Sequence, residues 1–241
     1  MQKALIPFLL ASLAMLLPGC DSGGKYVITD DAVCFSYWTF SFGTINDTLP
    51  DVNPKTFKSI CNWAGHDDKH VYFKSTLVDG ADVSTIKHEK YPLLRDKNDY
   101  YYKGTAMHVA NVDKFKVLKW IEDDLWAIDG TKAFYDTIHI EGADISTFKV
   151  KCWNVAVDRN HVYRYGEILP LADPETYDEQ WKDYYSRDKS HIWYMGTLLE
   201  DADYATFEVE KEQLAHDKHG YFYRGERISQ IEKERIEKQL E

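Results

Sequence analysis

Nothing in the first part of this chain is long enough to act as a membrane-spanning helix. The apolar run from Ala4 to Leu17, interrupted only by Ser12, stops at Pro18, Gly19 and Cys20, whereas a span needs roughly 20 apolar residues. Basic residues are also scarce: without Lys3, 28 Lys and Arg face 40 Asp and Glu, a net charge of −12. That balance excludes nucleic acid as a partner, because phosphate backbones are bound through clustered Lys and Arg. A basic protein or a cationic ligand suits it better. Cysteine is limited to Cys20, Cys34, Cys61 and Cys152, none spaced as a zinc or thioredoxin motif requires. A nucleophile elbow, a phosphate-cradling glycine loop and a zinc-protease helix are all missing as well.

What stands at the start is a short basic-to-apolar leader, Met1 to Gly19, of secretory signal length. Leu17, Pro18, Gly19 and Cys20 resemble the lipobox of bacterial lipoproteins, although Pro18 departs from the usual small residue. The resemblance implies that Cys20 is diacylated and becomes the mature N-terminus, anchored to the membrane without crossing it. Asp21 resembles the signal that retains such proteins at the inner membrane in enteric bacteria, with the outer membrane as the alternative. The expected address is the cell envelope, facing the periplasm. Disulfides form in that compartment, and Cys34 with Cys61, in neighbouring segments, is the expected pair.

The 17 Tyr, 11 Phe and 7 Trp are ample for a buried core, and they recur with a period. Asp67, Asp96, Asp129, Asp158, Asp188 and Asp217 lie 29, 33, 29, 30 and 29 residues apart. Five residues after each comes an aromatic: Tyr72, Tyr101, Phe134, Tyr163, Trp193 and Phe222. Eight after stand Gly104, Gly166, Gly196 and Gly225, with Ser75 and Thr137 in the other copies. Ala81, Ala110, Ala143, Ala172 and Ala202 follow at fourteen, then Asp or Asn, then Ile86, Phe115, Phe148, Tyr177 and Phe207 at nineteen.

Each unit reads as a three-stranded meander. A strand ends at the marker Asp, whose carboxylate bonds turn amides. The aromatics open a second strand, glycine makes the next turn, and a third strand closes the unit. Asp or Asn before proline, as in Asn53, Pro54 and Asp173, Pro174, then predicts a capped helical turn, its aromatic packing between neighbouring units. Thirty residues cannot bury such a face alone, so the expected fold is mainly β, stacked as a solenoid or propeller-like array. Ser229 and Glu232 form a capping box that predicts a C-terminal helix.

The runs Asp96, Lys97, Asn98, Asp99, Tyr100, Tyr101 and Asp188, Lys189, Ser190, His191, Ile192, Trp193, Tyr194 resemble the DKNYY repeat family of bacterial secreted and envelope proteins. The resemblance covers nearly all of residues 35 to 228 and implies no reaction, substrate or cofactor. The expected organisation is therefore a signal peptide at 1–19, a lipid-anchored tether at 20–34, the repeat domain at 35–228 and a capping helix at 229–241.

The histidines fall in register as turn residues: His70, His161 and His191 three after a marker, His66 and His216 one before, His219 two after. They read as polar turn residues rather than as a metal or pH-sensing ladder. Acidic turns such as Asp67, Asp68 lack the further ligands of a calcium loop. Aspartates that recur once per unit read as structure, because an active site breaks symmetry. The expectation is thus no enzyme, no cofactor and no metal, but a lipid-anchored module that binds or scaffolds another protein. Its sharper form is an immunity protein against a basic envelope-acting toxin. The rival is a binder of cell-wall polysaccharide or peptidoglycan, its aromatic rows stacking on sugars.

Overall fold

A computed structural model of the chain describes residues 23–239, apart from 123 and 212. The residues divide into two compact units, Met1–Ala106 and Met107–Glu241. Cys20, Asp21 and the signal peptide lie outside the described residues.

The first unit begins with a three-stranded antiparallel sheet of β1 (Gly24–Ile28), β2 (Val33–Thr39) and β3 (Gly43–Thr48). Two four-stranded meanders follow. One has β4 (Lys58–Cys61), β5 (Ala64–His66), β6 (Val71–Phe73) and β7 (Thr76–Val78); the other has β8 (Lys87–Lys90), β9 (Leu93–Arg95), β10 (Tyr100–Tyr102) and β11 (Thr105–Ala106). In both, strands adjacent in sequence pair antiparallel.

The second unit repeats this plan four times. Its sheets are β12 (Lys116–Ile121) to β15 (Ile138–Ile140), with β13 (Asp124–Ile128) and β14 (Ala133–Tyr135) between, then β16 (Lys149–Val150), β17 (Val155–Val157), β18 (Val162–Arg164) and β19 (Glu167–Ile168). Next come β20 (Asp178–Lys182), β21 (Tyr185–Arg187), β22 (Ile192–Tyr194) and β23 (Thr197–Leu198). The last sheet has β24 (Glu208–Val209), β25 (Leu214–Asp217), β26 (Gly220–Tyr223) and β27 (Glu226–Ile228). Helix α1 (Gln230–Gln239) follows. Its capping box forms as expected, with the Glu232 carboxylate accepting from Ser229 N–H at 2.9 Å and Ser229 Oγ accepting from Glu232 N–H at 3.3 Å.

The expected three-stranded meander is thus one strand short. The missing strand comes from the connection after each capped turn. It escapes a reading by pattern because β8, Lys-His-Glu-Lys, is exposed at every position and is a strand only because β9 offers it partners. The capped segment itself is a tight turn, and only Val112–Lys114 closes as a 3-10 helix.

The third strand of each meander carries the aromatic, and in β6, β10 and β14 all three residues are buried. Alternation disappears there because both faces of the sheet are covered, the condition under which strands become continuously apolar. For β6 and β14 the covering comes from the next sheet of the same unit. Trp63, Val71 and Phe73 share a core with Leu94 and Tyr101. Trp126 and Tyr135 share one with Ala156 and Tyr163, and Val155 and Val162 with Trp193. Phe148, Tyr177 and Phe207, the aromatics at position nineteen, sit in these shared cores as expected.

Glycine at position eight is where successive sheets come closest. Gly104, at φ +85°, has Phe73 Cβ 2.9 Å from where its own Cβ would stand, and Gly166, at φ +81°, meets Tyr135 Cβ at the same distance. A side chain there would be both strained and in collision. Ser75 and Thr137 occupy this position in the first four-stranded sheet of their unit.

Candidate functional site

The recurring aspartates are all but buried, none more than 5 % exposed, and their bonding is nearly the same in each copy. Asp158 Oδ1 accepts from the backbone N–H groups of Asn160 at 2.7 Å and His161 at 2.8 Å. Its Oδ2 accepts from Asp144 N–H and Tyr163 Oη, both at 2.7 Å. The first pair closes the marker's own turn, as the sequence suggests. The bond to Asp144 reaches back across the meander to the preceding capped turn. Equivalent long-range bonds join Asp67 to Asn53, Asp96 to Asp82, Asp188 to Asp173 and Asp217 to Asp203, whereas Asp129 bonds Ala110, one residue before the capped-turn Asn111.

Burial opposes ionisation of Asp67, Asp129, Asp158, Asp188 and Asp217, but the converging donors outweigh it. Asp67, Asp129, Asp158 and Asp188 are held below the ordinary carboxylate range. At Asp217, where Arg227 joins the backbone donors, the pKa falls to about 2. Each carboxylate is therefore anionic at neutral pH and engaged by the protein's own amides.

A second contact reinforces this latch from outside. The capped-turn carboxylate pairs with the base that follows the marker: Asp82 with Lys97 at 2.6 Å, Asp173 with Lys189 at 2.6 Å, Asp203 with Lys218 at 2.5 Å, and Asp144 with Arg159. A threonine hydroxyl accepts the same base's N–H, as Thr176 does from Lys189 at 3.2 Å. Side-chain bonds to Ser146, in one case, and to Lys189, in the other, lower Asp144 and Asp173 to about 2. The copy with Asn111 and Gly130 lacks this ion pair, and Lys132 Nζ bonds the His108 carbonyl instead.

His70, His161, His191 and His219 lie in turns as expected, whereas His66 ends β5 and His216 lies within β25, so both are strand residues. His66 Nδ1 stands 2.7 Å from the Asp67 carbonyl, and His191 Nδ1 is 3.3 Å from Asp188 Oδ2. Among the described residues, no three His, Cys, Asp or Glu side chains converge as a metal site would require. The position-five aromatics are at most 2 % exposed, so they are core rings and not a sugar-stacking row.

The expected Cys34–Cys61 disulfide does not form. Cys34 lies on β2 with its sulfur 3.5 Å from Thr48 Oγ1, whereas Cys61 ends β4 inside the core around Trp63. Chain proximity places the two on different sheets. Cys152 is also a thiol, pushed up by burial, and stands 3.3 Å from Asn154 Oδ1.

That thiol belongs to a cluster which breaks the repeat. Asn154 Nδ2 donates to Glu179 Oε1 at 3.2 Å, Tyr177 Oη to Glu179 Oε2 at 2.5 Å, and Arg164 Nε lies 3.5 Å from Glu179 Oε1. Tyr177 Oη also reaches Ser186 Oγ at 3.0 Å. The group ties the sheet of β17 and β18 to that of β20 and β21. Its sequence signal is Ser186, which stands where the other copies have Gly65, Leu94, Ala127, Ala156 and Ala215.

Around this conserved interior, one row varies. The residue seven after each marker is Lys74, Lys103, Asp136, Tyr165, Met195 or Arg224, all at φ between +49° and +55°. Each donates its N–H to the carbonyl four residues before the marker, as Met195 does to Tyr184 at 3.0 Å. The bond is constant while the side chain at the hairpin tip changes in charge, size and polarity.

The pattern of the DKNYY family matches residues 25–105 and 50–167. No curated protein and no solved structure matches the chain. With more than half of its length covered by matching repeats, the chain belongs to the DKNYY family.

Proposed function

We propose that the protein is a lipid-tethered, non-enzymatic binding or scaffolding protein of the bacterial envelope, its sheets stacked as a solenoid or propeller-like array. One observation carries this reading: hairpin tips of fixed backbone geometry present five different residue types over six copies, only Lys74 and Lys103 being alike. The marker aspartates, the most numerous candidates for chemistry, are engaged by backbone amides. Recognition through varied side chains on a rigid repeat is how such arrays make broad interfaces.

The tether is Cys20, released as the N-terminus by removal of 1–19, with Asp21 favouring the inner membrane. The net charge of −12 left once Lys3 is removed favours a basic protein partner, steered by the summed field of the remaining charges. Neutralisation of a basic envelope-acting toxin is the sharpest form of this reading. The test is capture from envelope extracts by the wild-type chain and by Met195→Ala with Arg224→Ala, two exposed tip positions. A specific partner retained by the wild type and lost by the variant is expected; no partner, or equal capture, overturns the reading.

The polysaccharide reading keeps one supporting observation. Trp153 is 46 % exposed and stands edge-on to Tyr165 at 5.4 Å between centroids. Sedimentation with purified cell wall separates the two readings, since the protein-binding reading expects the chain to stay in solution.

A further inference from the structure

The first sheet ends in an apolar point. β2 and β3 pair from Cys34 with Thr48 to Thr39 with Gly43, so Phe40, Ser41 and Phe42 form the hairpin tip. Trp38 is 64 %, Phe40 94 % and Phe42 82 % exposed. Trp38 and Phe40 stand edge-on at 6.3 Å, making one projecting patch. No charged residue lies between Asp31 and Asp47, in a chain where 29 % of residues are charged. The sheet's acids lie away from the tip: Asp30 and Asp31 in the β1–β2 turn, Asp47 opposite Phe35 on β3, and Asp51 just beyond β3.

The register decides which end faces the N-terminus. Gly24, the first residue of β1, pairs with Tyr37, and Ile28 pairs with Val33. β1 therefore begins at the tip end of the sheet, away from the acidic end. Tyr37 to Phe40 is three residues, so the tip reaches about 10 Å beyond Gly24 at the rise of a strand. Cys20 is four residues before Gly24, a span of at most about 14 Å. An anchor at Cys20 thus brings the tip within reach of the surface that holds it.

We infer that the β2–β3 tip is a second membrane contact, inserting Trp38, Phe40 and Phe42 into the lipid interface beside the anchor. The occupant of this patch is the bilayer. Tryptophan suits the headgroup level and phenylalanine the acyl boundary, and an uncharged tip enters with no charge to desolvate. Two attachment points fix the orientation of the first sheet, where a single lipidated residue leaves it free to turn. The inference rests on the proposed lipidation for its geometry, but its test is independent of it.

The full chain is purified, reconstituted into phosphatidylethanolamine and phosphatidylglycerol vesicles carrying quencher-labelled lipids, and read by tryptophan fluorescence. Mass spectrometry of the N-terminal peptide reports acylation of Cys20 separately. Quenching is expected in the wild type and lost in Trp38→Phe, which assigns it to one of the seven tryptophans. Phe40→Ser with Phe42→Ser should shift the inserted-to-withdrawn ratio by at least about tenfold. Equal quenching in wild type and Trp38→Phe overturns the inference, even with Cys20 acylated. Quenching of Trp38 with Cys20 unmodified upholds the tip and removes the anchor. Self-association abolished by the double substitution, with Trp38 unquenched, assigns the patch to a second copy and likewise overturns the inference.

Discussion

The β2–β3 tip and the strands of the six four-stranded sheets use aromatic residues to opposite ends, although Phe35 within β2 is itself buried. In the repeats, the ring at position five is at most 2 % exposed, whereas on the β2–β3 hairpin Phe40 and Phe42 stand almost wholly in solvent. What differs is the polar frame. Each repeat has a buried aspartate whose two oxygens lock its own turn to an earlier one. The tip of β2–β3 has no such carboxylate: Thr39 Oγ1 receives Phe42 N–H at 3.2 Å and donates to the Gly43 carbonyl at 3.5 Å, both bonds within the one turn. Aromatic content alone does not bury a ring; burial follows where a latch holds the neighbouring turn in place and a second sheet can close over it.

The sharpest way to break this comparison is to remove a ring from each region. Trp193→Ala should cost about 3–5 kcal/mol, the range for emptying an aromatic site in a packed core. Trp38→Ala should change stability by less than about 0.5 kcal/mol. Urea unfolding of the two variants checks the contrast, and similar losses would mean that the tip is part of the core.

Removing the latch should come next in size. Asp158→Ala leaves three backbone N–H groups and the Tyr163 hydroxyl without their acceptor, a loss of about 3 kcal/mol. The carboxylates of Asp67, Asp129, Asp158, Asp188 and Asp217 set an acid limit. Their folded pKa values lie below the unfolded ones, so the unfolded chain binds protons first. Stability is complete above the ordinary carboxylate range near about pH 4 and is lost as pH falls toward the value of about 2 at Asp217. Unfolding midpoints measured downward from about pH 6 should decline in this window, less steeply in Asp158→Asn.

Glycine sharpens the contrast on a smaller scale. Gly43 and Gly166 both have positive φ, but nothing lies within 4 Å of a Cβ at Gly43, whereas Tyr135 Cβ is 2.9 Å from one at Gly166. Gly43→Ala should cost about 1 kcal/mol for backbone strain alone, and Gly166→Ala about 2–3 kcal/mol from strain with collision. Thermal unfolding of the pair measures the difference. Ser229→Ala, which removes the helix cap, should cost about 1 kcal/mol or less.

Much of the frame is legible in the sequence because it is local. A marker Asp bonds amides two and three residues ahead, a positive φ calls for Gly104 or Gly166, and Ser229 and Glu232 cap each other within one turn. The fourth strand is not legible, since Lys87–Lys90 has no apolar face and takes its conformation from β9. The other half of the latch is hidden for a similar reason: the bond from Asp144 to Asp158 spans fourteen residues. Cys34 and Cys61 show that closeness along the chain does not give closeness in space. The cluster around Glu179 left one faint trace, the polar Ser186 at a small or apolar position.

The borrowed edge strand has a further consequence for how such a chain can grow. Each four-stranded sheet is one continuous stretch of the chain, running from the strand after one capped turn to the strand before the next, so a period counted between capped turns holds one whole sheet. Duplication or loss of copies preserves every sheet only when whole periods are exchanged in phase. A cut at any other place leaves two halves that do not match. Lineages built on this pattern are therefore expected to differ in copy number by integers, with length changes inside a period confined to sites such as the four extra residues between Asp96 and Asp129.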